Sequence, residues 1–310
     1  MKDCLAALLA SLALTTAVSA HGRLSGYASR TELLKPAPNP AWNQFSTAPD
    51  HHGVYPISDG FYVFVYRGTN ALFMVTEEGV VVVDPISEVA APLFIAAIRE
   101  ITAAPIKYLV YSHWHWDHIQ GGQVFKDAGA TIIAHEKCIA PLVDLPNPRI
   151  VMPDEVFYGT HVIEMGGRRL ELLYLGPNHS SCLVLPRPDN VNALFIVDLL
   201  TPGGTPDPSL LDNIPHHWLR TLREIEAMNL EFIISGHAVP VAHPSAVTER
   251  RQYLEILLDS VRTSNERRMS DPERMAYVRK QLEPLSHLRN FANYLDGHVR
   301  RIRAYLGTGW

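Results

Sequence analysis

Three histidines and one aspartate lie within six residues of one another, directly after a run of apolar residues. The segment reads His113-Trp-His115-Trp-Asp117-His118 and follows the apolar run Ile106–Tyr111. Side chains at positions i and i+2 that leave the end of a strand can point into one cleft. Imidazole and carboxylate ligands together suit Zn²⁺, with Fe or Mn as alternatives. The pattern predicts a metal centre; the competing interpretation is an exposed polar loop that happens to be rich in histidine.

The elements that would position this segment alternate between β-rich and helical stretches, in two similar halves. Strands are predicted at Phe61–Tyr66, Ala71–Thr76, Val80–Asp84, Ile106–Tyr111, Ala130–Ala134, Val156–Tyr158, His161–Glu164, Leu170–Tyr174, Cys182–Leu185, Ala193–Val197 and Glu231–Ile234, and helices at about Glu88–Ile101, His118–Ala128 and 216–228. Two mixed sheets packed face to face, with helices outside, accommodate this order. The expected fold class is α/β, an αββα sandwich of two mixed β-sheets with a C-terminal helical extension.

The H-x-H-x-D-H segment resembles the signature of the metallo-β-lactamase superfamily of hydrolases, and the resemblance covers roughly residues 58 to 240. The family has three further ligands, each at the end of a later strand. The positions that match are His179 in Gly-Pro-Asn-His-Ser-Ser, Asp198 after Phe-Ile-Val, and His237 after Ile-Ile-Ser-Gly. The resemblance therefore implies a set of seven ligands.

The resemblance also implies a role for each of these residues. His113, His115 and His179 would bind one divalent metal ion, and Asp117, His118 and His237 a second. Asp198 would bridge the two ions, which are expected to be zinc. A hydroxide between the metals would attack a carbonyl or phosphoryl centre. Asp117 is the predicted catalytic residue, because it can orient the nucleophile or carry a proton to the leaving group. Asp84, at an inner strand end, is a candidate for outer support of the ligands.

The ligand pattern limits the reaction to a class. Zinc β-lactamases commonly carry Cys or Ser at the position of Asp198, which weighs against penicillins. Lactonases usually place a Tyr shortly after the bridging Asp, where this chain has Leu199-Leu200-Thr201. The expected substrate is a small lactone, ester, thioester or amide, and the closest ligand patterns are those of lactonase and glyoxalase II-like members.

Three other functions remain open at this stage. They are β-lactamase activity, a mononuclear iron oxygenase of the persulfide dioxygenase type, and a ligand-binding relative without catalysis. The complete second-metal set of Asp117, His118 and His237 weighs against the last two. The chain carries 27 Lys+Arg against 32 Asp+Glu, so nucleic acid is not an expected partner. The oligomeric state is left open.

The two ends of the chain differ from its centre. Residues 1–20 have the charge, apolar run and small-residue end of a signal peptide, so export to the periplasm or the medium is expected. Residues 21–57 are predicted to be an extended segment, 58–243 the metallo-β-lactamase-like catalytic domain and 244–310 a helical extension. No segment has the length and apolarity of a membrane span. From 245 onward 12 Lys+Arg outnumber 8 Asp+Glu, and we expect a solvated face here rather than a substrate wall.

The sequence allows less definite predictions for several residues outside the ligand set. Cys138 and Cys182 remain after signal cleavage; the sequence does not show whether they meet, and we expect them to be unpaired. Trp114 and Trp116 are expected to support the ligand loop by packing, and the loop Thr201–Pro208 to shape one pocket wall. His216 and His217 could face the cleft. The histidines without ligand spacing are expected at the surface: His51, His52, His135, His161, His243, His287 and His298.

Overall fold

A computed structural model describes residues 27–210 and 213–308, so the predicted signal peptide lies outside the described residues. The strands are β1 His52–Ser58, β2 Phe61–Tyr66, β3 Thr69–Val75, β4 Val80–Val83, β5 Ile106–Tyr111, β6 Thr131–His135, β7 Glu155–Phe157, β8 His161–Met165, β9 Arg168–Leu173, β10 Leu185–Pro188, β11 Ala193–Phe195, β12 Phe232–Ile234 and β13 Val241–Ala242. The α-helices are α1 Arg30–Leu33, α2 Ala90–Ile101, α3 Trp116–Ile119, α4 Gly122–Asp127, α5 Ile139–Asp144, α6 Pro215–Ala227, α7 Ser245–Glu266, α8 Asp271–Gln281 and α9 Phe291–Thr308.

The larger sheet has seven strands in the order β1 to β7. Neighbours from β1 to β4 are antiparallel, and those from β4 to β7 are parallel. All four residues of β4 are buried, as expected of a strand covered on both faces. Successive side chains point to opposite faces: Val81 and Val83 pack between the sheets, whereas Val80 and Val82 pack with Phe94 of α2.

The second layer consists of two short sheets, β10-β9-β8 and β11-β12-β13. β11 runs parallel to β12, and β13 antiparallel to it, so this sheet is mixed. Side chains of both short sheets share one apolar core with the inner face of the large sheet. The predicted α/β sandwich with outer helices is therefore confirmed, and the difference is the division of its second layer.

Two segments differ from the sequence prediction because prolines concealed strands. Residues 52–57 were predicted to belong to the extended segment, but they lie in β1, which pairs with β2 and whose register shifts between Pro56 and Ser58. Likewise the strand predicted at Cys182–Leu185 lies at Leu185–Pro188, which contains two prolines. Both strands lie at sheet edges, where a missing N–H costs no ladder hydrogen bond.

The C-terminal helices are packed on the sandwich. Tyr253 and Leu257 of α7, and Leu295 and Val299 of α9, belong to the same apolar core as the two sheets. These helices are amphipathic, and they bury their apolar sides against the sandwich. Only the outer side of the extension is therefore the solvated face that was expected. Among the described residues, no helix has the length and apolarity needed to cross a membrane.

Cys138 and Cys182 form a disulfide, so the expectation of unpaired thiols is wrong. Cys138 ends the short turn Glu136–Cys138 after β6, and Cys182 follows the loop that carries His179. Their Cα atoms are 5.2 Å apart, although 44 residues separate them along the chain. The two cysteines come together only when the second layer packs against β6, and the local sequence around each cysteine does not predict that packing.

Removal of this disulfide is expected to lower stability. The double substitution Cys138→Ala with Cys182→Ala should cost about 2–4 kcal/mol in the free energy of unfolding, because it frees a long loop in the unfolded chain. Urea unfolding followed by fluorescence measures this change. Reductant should shift the wild-type midpoint by a similar amount and leave the variant unchanged; equal midpoints for both proteins without reductant would contradict the bridge.

Candidate metal centre

The structure brings all seven predicted residues together at one edge of the sheets. His113 and His115 follow β5, and Asp117 and His118 lie in the short helix α3. The three remaining residues lie in loops of the second layer: His179 after β9, Asp198 after β11 and His237 after β12. Because β5, β11 and β12 end at the same edge, residues that are far apart along the chain meet there.

The seven side chains form two clusters that share one carboxylate. The first contains His113, His115, His179 and Asp198, and the second contains Asp117, His118, Asp198 and His237. Within each cluster the candidate ligand atoms lie within 4.8 Å of one another. Facing nitrogens come close: His179 Nε2 lies 3.1 Å from His115 Nδ1, and His118 Nε2 lies 3.2 Å from His237 Nε2.

This arrangement fits bound cations better than internal hydrogen bonding. His113 Nε2 and Asp198 Oδ1 are buried without a well-aligned hydrogen-bond partner. Burial lowers the pKa of His113 to about 4 and that of His179 to about 3, so both rings are neutral at pH 7 and keep a lone pair. Burial opposes ionisation of Asp198, but the nearby His118 and His237 hold its pKa well below its usual range. The neutral rings of His113 and His179 beside an ionised carboxylate are donors of the kind that divalent metals prefer.

Asp84 orients two of the histidines from beneath the clusters. Its Oδ2 atom accepts a hydrogen bond from Ser112 Oγ at 2.6 Å and lies 3.1 Å from His118 Nδ1. Ser112 Oγ in turn lies 2.9 Å from His113 Nδ1. The carboxylate thus engages Nδ1 of His118 directly and Nδ1 of His113 through the Ser112 hydroxyl, which leaves both Nε2 atoms facing the site. This agrees with the supporting position expected for Asp84, whereas the part of Ser112 was not anticipated.

Asp117 lies at the open side of the second cluster. Its side chain is 63% exposed, and its carboxylate lies 3.8 Å from both His118 Nε2 and His237 Nε2. Desolvation opposes its ionisation, but the charge of His118 and that of His237 hold its pKa below the usual value. Asp117 is therefore an ionised group within reach of both a ligand set and solvent.

The backbone beside the ligands is strained. Asp84, Val197 and Ala238 have positive φ angles of 63°, 45° and 65°. A β-branched residue such as Val197 rarely adopts this conformation, and such strain persists only where the surroundings enforce it. Gly236 packs against the backbone of Val197, and only a glycine fits there, because a Cβ at this position would lie 2.6 Å from Val197 O.

Asn70, which was not predicted to contact the site, holds the loop that carries His237. Its backbone N–H donates to Gly236 O at 2.7 Å. Its side-chain amide donates to Ser235 O at 2.8 Å and to Val239 O at 3.1 Å. A buried asparagine in a strand next to a turn is the available signal, but its partners lie far away along the chain.

The loop with His179 is held from several sides. Asn178 is buried, its Oδ1 accepts from the backbone of His179 at 2.6 Å, and its amide donates to Gly176 O. Trp114 packs against His115 with ring centroids 4.7 Å apart, as expected. Trp116, in contrast, is 42% exposed, so the expectation that it supports the loop by packing is wrong.

A cleft of about 270 Å³ opens beside the two clusters. The loop Thr201–Pro208 contributes to its wall, as predicted. The C-terminal extension also contributes to this wall, because Arg250, Arg289, Asn290 and Tyr294 line the cleft as well. The expectation that the basic extension is a solvated face rather than a substrate wall is therefore wrong at these positions.

The histidines without ligand spacing do not all lie at the surface. His52 and His287 are exposed, and His51, His161 and His243 are half-buried. His135 and His298 are buried, which corrects their expected surface position. His216 contacts the Tyr305 hydroxyl at 2.7 Å, and neither it nor His217 is among the described residues that line the cleft.

His298 makes stability depend on pH. Its Nδ1 accepts from the Tyr253 hydroxyl at 2.7 Å, and its Nε2–H donates to Asp207 O at 3.0 Å, which ties α9 to the cleft loop. Burial lowers its pKa to about 4. The unfolded chain therefore takes up this proton first, and stability falls as the pH drops from the unfolded pKa toward the folded one.

We expect the wild type to lose about 3 kcal/mol more stability than His298→Gln between about pH 7 and pH 4. Urea unfolding of both proteins at each pH measures the difference, and subtraction removes the contribution of the other histidines. Parallel curves for the two proteins would show that His298 does not titrate in this range.

Comparison with known proteins decides the family. A family model described as the metallo-beta-lactamase superfamily matches residues 65–237, which is more than half of the chain. The chain belongs to the metallo-β-lactamase superfamily. The match ends at His237, so it spans the region from β2 to the last of the seven residues.

The relatives of this superfamily chain are distant. It is 24% identical over 213 residues to the 2,4-dinitroanisole O-demethylase subunit alpha of Nocardioides sp. (strain JS1661), covering 66% of the chain and 62% of that protein. The chain thus spans less than two thirds of the length of this curated relative.

Solved structures share the fold. A metallo-beta-lactamase from Pontibacter korlensis matches with a TM-score of 0.58 and 19% identity, over 66% of this chain and 99% of that one. The stereoselective inverting sec-alkylsulfatase Pisa1 from Pseudomonas sp. matches with a TM-score of 0.67 and 15% identity, over 92% of this chain and 54% of that one.

Proposed function

We propose that the protein is a hydrolase that uses two divalent metal ions, most favourably zinc, to cleave a small carbonyl substrate such as a lactone, ester, thioester or amide. The observation that carries this proposal is the pair of ligand clusters that share Asp198. A shared carboxylate between two histidine-containing sets offsets part of the charge of two dications, which a mononuclear site does not require. Export of the protein is part of the proposal, and the disulfide supports it, since such bonds persist in oxidising compartments.

Two metal ions in this site would lower the pKa of a bound water and polarise a substrate oxygen. The protein residues orient the ligands and transfer protons. By engaging the opposite ring nitrogens, Asp84 and Ser112 favour the tautomers of His113 and His118 that present an Nε2 lone pair to a metal ion. Asp117, ionised and reachable from solvent, can accept the proton of the nucleophile and deliver it to the leaving group.

The substrate is expected to be small, because the cleft of about 270 Å³ is slightly smaller than the usual range for ligand sites. Nucleic acid is not a proposed partner. Two similar proteins, an O-demethylase subunit and a sec-alkylsulfatase, suggest two further reactions to include in a test.

The test combines a metal count with a substrate panel. Purified protein, prepared with Zn²⁺, Mn²⁺ or Fe²⁺, is assayed on lactones, thioesters, esters, amides, β-lactams, 2,4-dinitroanisole and a sec-alkyl sulfate, while mass spectrometry counts metal per chain. We expect two zinc ions per folded chain and turnover of a lactone, ester, thioester or amide. His115→Ala serves as the inactive control.

Different results would replace the proposal by a defined alternative. One iron per chain with oxygen consumption would indicate an oxygenase, and preferred turnover of a β-lactam would indicate a β-lactamase. Two metals with cleavage of only the ether or the sulfate ester would keep the metal site and reject the carbonyl substrate.

A further inference from the structure

Two arginines of the C-terminal extension line the same cleft as the ligand clusters. Arg250 lies in α7, and Arg289 lies in the connection before α9. Both face the cleft that also includes His179 and His237. Arg250 is only 4% exposed, so its guanidinium is part of the cleft wall.

Within the described ranges, no carboxylate lies within ion-pair distance of either guanidinium. Arg250 Nη2 donates to Gly204 O at 3.1 Å, and the group lies 5.4 Å from the centroid of the Trp218 ring. Arg289 donates to the side-chain oxygen of Asn43. These partners are neutral, and a guanidinium has five N–H donors. Two positive charges and several donors therefore remain for a ligand.

The burial of these charges is energetically unfavourable without an anion. Desolvation lowers the pKa of Arg250 to about 10, although the nearby Tyr253 and Glu249 act against this shift; the charge of Arg289 acts in the same direction as desolvation. A buried arginine is normally paired, because an uncompensated charge in a protein interior is costly. An anion placed between the two groups would offset both the desolvation and their mutual repulsion.

The cleft loop holds the arginines in place before any ligand arrives. The backbone N–H of Arg289 donates to Gly203 O at 2.9 Å, and its carbonyl accepts from Thr205 N at 3.1 Å. A Cβ at Gly204 would lie 3.1 Å from Arg289 Nη2, so glycine permits this close approach. Donors fixed in this way lose little entropy when they bind.

The only other carboxylate that lines the cleft, among the described residues outside the ligand clusters, already has its own donors. Asp207 Oδ1 accepts hydrogen bonds from the backbone N–H of Ser209, at 2.9 Å, and from its hydroxyl. Asp207 therefore does not act as the counter-ion of either arginine.

We propose that Arg250 and Arg289 form an anion subsite, which selects substrates that carry a carboxylate or sulfo group close to the bond to be broken. Trp218 and Tyr294, which also line the cleft, supply ring surface for the organic part of such a molecule. Selection during turnover rests on the proposed hydrolase function, whereas binding of the anion does not.

The first test measures binding without turnover. Metal-loaded protein is titrated in a calorimeter with benzenesulfonate, a poor metal ligand, and with methyl phenyl sulfone, its uncharged counterpart. We expect benzenesulfonate to bind at least about tenfold more tightly to the wild type, and the preference to be lost in Arg250→Gln and in Arg289→Gln. Arg300→Gln is the matched control, because Arg300 is 79% exposed and pairs with Asp296.

The half-buried Arg289 keeps the test valid if the buried Arg250 cannot be replaced without unfolding. Equal affinity for both probes in the wild type, or a preference that persists in every folded variant of the two arginines, would overturn the subsite.

The second test links the subsite to selectivity. The kcat/KM of phenyl sulfoacetate is divided by that of phenyl methylsulfonylacetate in each protein, so that the intrinsic reactivity of the two esters cancels between variants. We expect this ratio to fall about tenfold in Arg289→Gln and to stay constant in Arg300→Gln. A constant ratio in both would overturn the selective role. Charge-dependent binding without cleavage of either ester would sustain the subsite and count against the proposed hydrolysis.

Discussion

Substitution of Asp198 by asparagine is expected to reduce hydrolysis by on the order of a thousandfold, because it removes the one charge shared by both clusters. The amide is the same size, but it is neutral and one of its two terminal atoms can only donate. His118 Nε2 and His237 Nε2 lie 3.0 Å and 2.8 Å from Asp198 Oδ1, so both would face a neutral amide instead of a carboxylate. We expect the variant to hold fewer than two metal ions per chain.

Asp207→Asn provides the matched control for this prediction. Asp207 is an acid of the same cleft, but its Oδ1 accepts from the backbone of Ser209, and an amide oxygen can do the same. Mass spectrometry of the metal content and kcat/KM on the best substrate are measured for both variants. Full activity with two metals in Asp198→Asn would exclude it as a shared ligand, and an equal loss in Asp207→Asn would show a general effect of charge in the cleft.

The ligand set was predictable because its signal is local. His113, His115, Asp117 and His118 lie within six residues, and each later ligand follows a short β run that can be seen in the sequence. The alternation of β-rich and helical segments likewise predicted the sandwich, since that order admits few layered arrangements. The errors fell on β1 and β10, where prolines at sheet edges do not prevent pairing.

The supporting residues could not be predicted, because their partners are distant in sequence. Asn70 contacts a carbonyl 165 residues away. Cys138 meets Cys182 only when the second layer is in place. Arg250 was assigned to a solvated face because charged residues are mostly exposed, and only the packing of α7 on the sandwich reveals its burial. Long-range packing, not residue type, decides these contacts.

Substitution of Asp84 by asparagine is expected to weaken metal binding and activity strongly, although Asp84 lies behind the ligands and contacts no substrate. Its Oδ1 accepts from the backbone N–H of Ser112 at 2.8 Å, while its Oδ2 accepts from Ser112 Oγ and engages His118 Nδ1. An asparagine at this position must direct its NH₂ group toward one of these two sets of donors. If the NH₂ replaces Oδ2, His118 is favoured in the tautomer that has its proton on Nε2, and the nitrogen that faces the site loses its lone pair. If it replaces Oδ1, a buried N–H is left without an acceptor.

Either orientation of the introduced amide weakens the site, so Asp84→Asn is expected to bind zinc about 10–100-fold more weakly, with a similar loss of activity. Competition with a chelator of known affinity measures zinc binding, and urea unfolding of the zinc-loaded protein shows whether the fold persists. Ser112→Ala tests the two histidine contacts separately. It removes the hydrogen bond to His113 and leaves that between Asp84 and His118, so a smaller loss of zinc affinity is expected. Unchanged zinc affinity in Asp84→Asn would mean that the histidine rings are oriented by packing alone, and that the carboxylate and the positive φ of Asp84 serve the fold rather than the metal centre.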